Sequence, residues 1–242
     1  MQLATSAGTL LGGRVRHAQP CQGHRSGLEP VLLAAAIPAR AGARVLEGGT
    51  GAGSALLCLA ARVAGITGVG IERDAAMADL ARRNLAENDC AGLAIETADL
   101  TSWRGVGGFD HAFANPPWHT EAATASPDAR RDAARRASPA LLEAWARALA
   151  AALRHRGTLT LILGADHLAG GLAAVAAAGC GSPTILPLWA KAGRPARLVL
   201  LQAIRGGRGP SRVMPGLVLH EANGGFTAAA EAILRDGQAL AV

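Results

Sequence analysis

The chain predicts an α/β fold: a mostly parallel seven-stranded sheet with helices on both faces and one antiparallel strand near the C-terminal end. Three observations carry this. Strand-like and helix-like apolar patterns alternate from Ala43 to about Ala203, as when parallel strands are joined by crossover helices. Three successive strand-like runs each close on an acid, at Glu47, Glu72 and Asp99. The last two runs are joined by only eight residues, Trp189 to Ala196, too few for a crossover helix, so those two strands should pair antiparallel.

In order along the chain, Met1 to Arg40 forms an N-terminal segment with a short helix from Pro30 to Ile37. Ala43 to Leu46 is a buried strand, and a glycine-rich loop leads from it into a helix spanning Ser54 to Val63. A second strand, Gly68 to Ile71, precedes a helix from Ala75 to Glu87. Leu93 to Ala98 is the third strand and Phe109 to Ala114 the fourth. A helix over Leu141 to Arg154 and strands at Thr158 to Leu163, Thr184 to Leu188 and Arg197 to Ala203 complete the alternation. No internal repeat or second domain is visible: 1–242 is one domain, with its core at 43–203 and an appended tail at 204–242.

The loop Glu47-Gly48-Gly49-Thr50-Gly51-Ala52-Gly53 is the first chemical signal. Glycines at 49, 51 and 53 let the backbone turn tightly and approach a ligand, while the new helix offers free N–H groups. It is not a dinucleotide fingerprint, which would need Gly where Ser54 stands. A P-loop would need a Gly-Lys-Ser/Thr ending, and no lysine is near. An acid at the strand end, Glu47, suits an ammonium-bearing ligand better than a pyrophosphate. Glu72 can accept from both hydroxyls of a ribose, as in other doubly wound nucleotide sites. Asp99 is placed to accept from an adenine amino group.

The second signal is Asn115-Pro116-Pro117-Trp118, at the end of the strand Phe109 to Ala114. Prolines fix φ and donate no backbone hydrogen bond, so the motif aims rigid carbonyls into space. The Asn115 side-chain oxygen and the Pro116 carbonyl can accept both hydrogens of one NH2, and Trp118 offers a flat face for stacking. Asn-Pro alone is an ordinary turn after a strand. The second proline, the aromatic and the glycine loop upstream make it a clamp for a planar amine.

Together these residues resemble the class I S-adenosylmethionine-dependent methyltransferases, in particular the amino-group enzymes with Asn-Pro-Pro-aromatic. Gly12-Gly13-Arg14-Val15, Gln19-Pro20, Gly23 to Glu29 and Val31 to Ala36 narrow the likeness. They are similar to the bacterial valine-tRNA adenine-N6 methyltransferase family, which methylates the adenine beside the anticodon. The likeness runs to the tail, through Val218-Leu219-His220 and Gly225-Phe226-Thr227. It implies a Rossmann-like fold and S-adenosylmethionine as cofactor. Cofactor contacts are implied at Arg25, Gly27, Glu47, Gly49, Gly51, Gly53, Glu72, Arg73, Asp99, Leu100 and Asn115. Catalytic roles are implied for Asn115, Pro116, Pro117 and Trp118. The segment from Arg25 to Glu29 is expected over the methionine end of the cofactor. The chain departs from the family at Glu29 and Glu47 (commonly Asp), at Gly48 (usually apolar) and at Trp118 (usually Tyr or Phe). Gly48 is expected to loosen the strand end.

A formal charge of +6 and a pI near 10.3 favour an anionic partner. Nearly all of the positive charge is arginine, Lys191 being the only lysine. Arg130, Arg131, Arg135 and Arg136 follow the clamp directly and, in a helix, Arg131 and Arg135 would share a face. They are the expected contacts to the phosphates of a tRNA. Arg205 to Pro210 reads as a flexible loop. His111 reads as packed inside its strand, and His119 beside the clamp is the one histidine kept in reserve as a base. Cys21, Cys58, Cys90 and Cys180 lack the spacing of a metal site or redox pair, so no metal is expected. With no membrane-length apolar run and no convincing leader, the cytoplasm is the expected compartment. The sequence leaves the oligomeric state open. It also leaves open a guanine-N2 rRNA methyltransferase, a glutamine-N5 protein methyltransferase and a non-enzymatic RNA-binding protein.

Overall fold

A computed structural model describes residues 3–22, 27–117 and 139–242. Its strands are β1 (Thr5–Leu10), β2 (Val15–Pro20), β3 (Arg44–Gly48), β4 (Thr67–Glu72), β5 (Leu93–Thr97), β6 (Phe109–Ala114), β7 (Leu153–Gly164), β8 (Cys180–Lys191), β9 (Leu198–Arg205), β10 (Arg212–Val213) and β11 (Leu217–His220). The described α-helices are α1 (Glu29–Ala36), α2 (Ser54–Arg62), α3 (Ala75–Glu87), α4 (Pro139–Ala152), α5 (Leu168–Ala177) and α6 (Ala228–Leu234).

The main sheet has the order β10-β8-β9-β7-β6-β3-β4-β5, with β11 also paired to β8. The pairs β3–β4, β3–β6, β4–β5 and β6–β7 are parallel, while β9 runs antiparallel to both β7 and β8. The predicted reversed strand is therefore present. The sheet holds nine strands rather than seven, because the tail contributes β10 and β11, both parallel to β8. The tail is integral: Leu217, Leu219, Ala230, Ile233 and Leu234 are buried in the same core as α1 and α2. Residues 1–40 hold more than a helix, since β1 and β2 form an antiparallel hairpin with Leu10 opposite Val15.

Two apolar layers cover the sheet. One gathers α1, α2, α3 and α6, with Leu32, Leu33, Leu56 and Leu59 at 0% exposure. The other gathers α4 and α5, around Leu46, Ala112, Leu149 and Leu161. Side chains satisfy helix ends both locally and from a neighbouring helix. The Asp74 carboxylate accepts from the Ala76 and Met77 amides at 2.9 and 3.2 Å and starts α3. Arg62 donates to the Ala34 and Ile37 carbonyls at 3.0 and 2.5 Å, closing the end of α1. Among the described residues no helix is long and apolar enough to cross a membrane.

Candidate active site

The ends of β3, β4 and β6 lie side by side at the carboxyl edge: Gly48 pairs with Ile71 on one side and Ala114 on the other. The residues after each strand meet there. Gly49 and Thr50 both donate to the Ile71 carbonyl, at 2.8 and 3.0 Å, hooking the loop over the end of β4. Gly49, Gly51 and Gly53 have φ of 66°, 57° and 86°, a conformation that L side chains rarely adopt. A Cβ at Gly49 would also lie 2.5 Å from the Trp145 ring on α4. Gly53 is the N-cap of α2.

Glu47 is buried beneath this loop. The Thr50 hydroxyl donates to its carboxyl at 2.5 Å. Burial pushes the acid up to about 8, a rise opposed by the Thr50 and Leu56 hydrogen bonds and increased by the Glu72 charge. Glu72, half-buried at the end of β4, accepts from the Gly51 amide on one oxygen and the Asp74 amide on the other, both at 2.9 Å. Each oxygen of an ionised carboxylate retains further acceptor capacity. Asp99 is exposed. Its Oδ1 accepts from the Thr101 amide at 2.8 Å and the Thr101 hydroxyl at 2.7 Å. Those two bonds, with a smaller contribution from the exposed Arg73, hold its carboxyl below the ordinary range. Asp99 is thus a standing acceptor.

Leu100 is buried and fills the space a side chain at residue 48 would need: a Cβ on Gly48 would lie 2.6 Å from Leu100 Cδ2. Gly48 therefore does not loosen the strand end. It sits buried in a ladder paired on both sides, and the missing volume is taken by Leu100 and Leu149. Asn115, Pro116 and Pro117 follow β6 immediately, with Pro116 buried and its neighbours half-buried. Gly27 is exposed just before α1. Arg25, Trp118, His119, Arg130, Arg131, Arg135 and Arg136 lie outside the described residues. His111 lies toward the amino end of β6, half-buried, with its Nδ1 2.8 Å from the Thr158 hydroxyl. Cys58 and Cys180 are packed thiols, and burial pushes Cys58 up to about 12. The Arg205 to Pro210 loop is at the opposite edge, because β9 runs antiparallel there.

Sequence reasoning missed three residues that shape the loop. Asn84 on α3 has 0% exposure. It donates to the Ala52 carbonyl at 2.8 Å and to the Ala18 carbonyl at 3.0 Å, and accepts from the Ala18 amide at 3.0 Å. His17 on β2 is equally enclosed, its Nε2 2.8 Å from Ser54 Oγ at the start of α2. Burial lowers His17 to about 4, so it is neutral. Trp145 backs Gly49. One signal was available: Asn84 interrupts an otherwise apolar helix face of Leu80, Ala81 and Leu85.

A sheet of this order, with a glycine loop after its central strand and an acid at the end of each of three neighbouring strands, defines a class I methyltransferase. The chain belongs to the methyltransferase small-domain family, whose model matches residues 30–163. It is similar to a predicted O-methyltransferase from Agrobacterium tumefaciens, at 26% identity and a TM-score of 0.73, over 88% of this chain and 98% of that one. Two further structures share the fold. The S-adenosylmethionine-dependent methyltransferase SibL is 15% identical with a TM-score of 0.52, over 68% of this chain and 51% of that one. Geranyl diphosphate C-methyltransferase from Streptomyces coelicolor, solved with S-adenosyl-L-homocysteine, has the same two values over 73% and 75%. No curated protein matches the chain. The cofactor is S-adenosylmethionine.

Proposed function

We propose that the chain methylates an exocyclic amino group, adenine N6 of a tRNA near the anticodon, in the cytoplasm. The observation that carries this reading is the run Asn115-Pro116-Pro117 directly after β6, one residue beyond the level of Gly48 and so beside the glycine loop. The N-terminal and tail motifs shared with the valine-tRNA family support the choice of base and of RNA.

The residues divide the work. Glu47, at the loop's base, is suited to an ammonium group. Glu72 is suited to ribose hydroxyls, and Asp99 with Leu100 to an adenine ring. When bound, the cofactor supplies an electrophilic methyl on a sulfonium. An adenine N6 lone pair is delocalised into its ring and is a poor nucleophile. The Asn115 side-chain oxygen and the Pro116 carbonyl, accepting both N–H bonds, favour the pyramidal, partly positive nitrogen over the planar one. No general base is required, since the amine becomes acidic once alkylated. Trp118 would stack the splayed base, as extraction from a structured loop demands.

The 26% likeness to a predicted O-methyltransferase favours one second reading, transfer to a hydroxyl. A hydroxyl must lose its proton to become a good nucleophile, and two carbonyl acceptors do not remove one. Incubation of unmodified tRNA transcripts with labelled S-adenosylmethionine, followed by nucleoside mass spectrometry, tests the choice. N6-methyladenosine is expected. Label in a 2′-O-methyl nucleoside, in N2-methylguanosine or in a protein glutamine would replace this reading with another.

A further inference from the structure

The carboxyl edge of the sheet is uneven. Ala114 of β6 lies opposite Leu161 of β7, Leu161 opposite Leu201 of β9, and Leu201 opposite Ile185 of β8. Beyond that level β6 gives way to Asn115, whereas β8 continues to Lys191 and β9 begins back at Leu198. At about 3.3 Å per residue, Lys191 stands roughly 20 Å above the end of β6, and three strand spacings put it about 14 Å to the side. The hairpin is a wall beside the clamp.

The tail thickens that wall. Strand β11 runs along β8 and sets His220 opposite Lys191. The Lys191 ammonium donates to the Ala222 carbonyl at 3.1 Å, and the His220 ring stacks on Phe226 with centroids 4.7 Å apart. Lys191, Arg194 and Arg197 are all exposed around the tip. Several other arginines near the sheet are engaged within the protein: Arg62 with α1, Arg82 with Ile95 and Thr97, Arg154 with Asp110, Arg205 with Ala150. Among the described residues, Arg194 and Arg197 form no ion pair and no side-chain hydrogen bond. Two acids share this rim: Asp166, whose carboxylate is 2.8 Å from His167, and the exposed Glu221.

We propose that the tip of the β8–β9 hairpin, through Arg194 and Arg197, binds the ribose-phosphate backbone of the RNA whose base enters the clamp. This rests on the reading of RNA as the acceptor. Exposed guanidiniums without a partner among the described residues, beside a catalytic edge, suit phosphate, which they bind in bidentate fashion. The wall's height and offset suit backbone flanking the reacting base rather than the base itself.

The test uses the full-length chain and its Arg194→Ala/Arg197→Ala variant, both positions being exposed. Binding to unmodified tRNA is titrated across a salt series, alongside methyl transfer, cofactor calorimetry and thermal unfolding. The log–log salt slope of the variant should fall by about 0.7 for each lost single-strand contact, hence about 1.4 in all. Its KM for tRNA should rise while kcat at saturating tRNA, cofactor affinity and the unfolding midpoint stay the same. A parent that methylates tRNA beside a variant with an unchanged salt slope overturns the wall alone. Loss of tRNA binding accompanied by lost cofactor affinity or a lower midpoint overturns it too, since the arginines would then act through the fold. A parent that methylates no RNA removes the acceptor reading, and the wall with it.

Discussion

The Asn84 carboxamide on α3 donates to the carbonyl of Ala52, in the middle of the glycine loop, at 2.8 Å. Through the amide and the carbonyl of Ala18 it also holds the N-terminal hairpin, so one buried side chain ties α3 to two other chain segments. The glycines make the loop's conformation permissible, and Asn84 selects it.

Asn84→Ala should leave the Ala52 and Ala18 carbonyls and the Ala18 amide without this partner, at a cost of about 1–3 kcal/mol or more in unfolding free energy. Affinity for S-adenosylmethionine should fall about tenfold in the folded variant. Asn84→Asp, which keeps only the acceptor toward Ala18, should also bind the cofactor weakly. Calorimetry beside urea unfolding checks this; a folded Asn84→Ala chain with parental cofactor affinity would show the loop to be self-supporting.

The Glu47 carboxyl, ordinarily near 4.5, is raised to about 8 by burial. Folding therefore takes up a proton there. Its contribution to stability is fully present below about pH 4.5, falls as pH rises toward 8, and is lost above that. Glu47→Gln should flatten this part of the profile. An ammonium placed beside Glu47 favours the carboxylate, so at pH 7 the parent should release up to about one more proton on cofactor binding than Glu47→Gln does. Calorimetry in buffers of different ionisation enthalpy measures the difference. Equal proton counts would put the ammonium elsewhere.

Gly48 and Leu100 share one volume. Gly48→Val should overpack against Leu100 and Leu149 and destabilise the fold by about 1–3 kcal/mol. Adding Leu100→Ala should restore part of that loss, giving a favourable coupling in a double-mutant cycle. Additive effects would mean that Leu100 already moves aside in the single variant.

Glu72 and Asn115 should separate binding from transfer. Glu72→Ala removes the acceptor for the Gly51 and Asp74 amides, and should weaken cofactor binding by about 1.5–3 kcal/mol. Asn115→Ala should keep cofactor affinity and slow single-turnover methyl transfer by about 10²–10³. A fast Asn115→Ala enzyme would place the amine clamp on other residues.

What the sequence by itself determined is local. The glycines at 49, 51 and 53 permitted a tight turn, and the loop turns with positive φ at each of them. The short link expected from Trp189 to Ala196 called for an antiparallel pair, and β8–β9 is one. Acids at strand ends and Asn-Pro-Pro after β6 followed from residue type and position alone, and strand alternation brought them to one edge. Only the tertiary structure decided the rest. Ala18 and Asn84 are 66 residues apart, His17 and Ser54 are 37 apart, and nothing local in either segment encodes the other. Leu100 filling the space at Gly48, Trp145 behind Gly49 and the tail strands on β8 belong to the same kind. Such contacts depend on which segments the sheet order brings together, and so does the burial that raises Glu47 and lowers His17. A residue's own neighbours set its backbone; its environment is set by chain that arrives from far away.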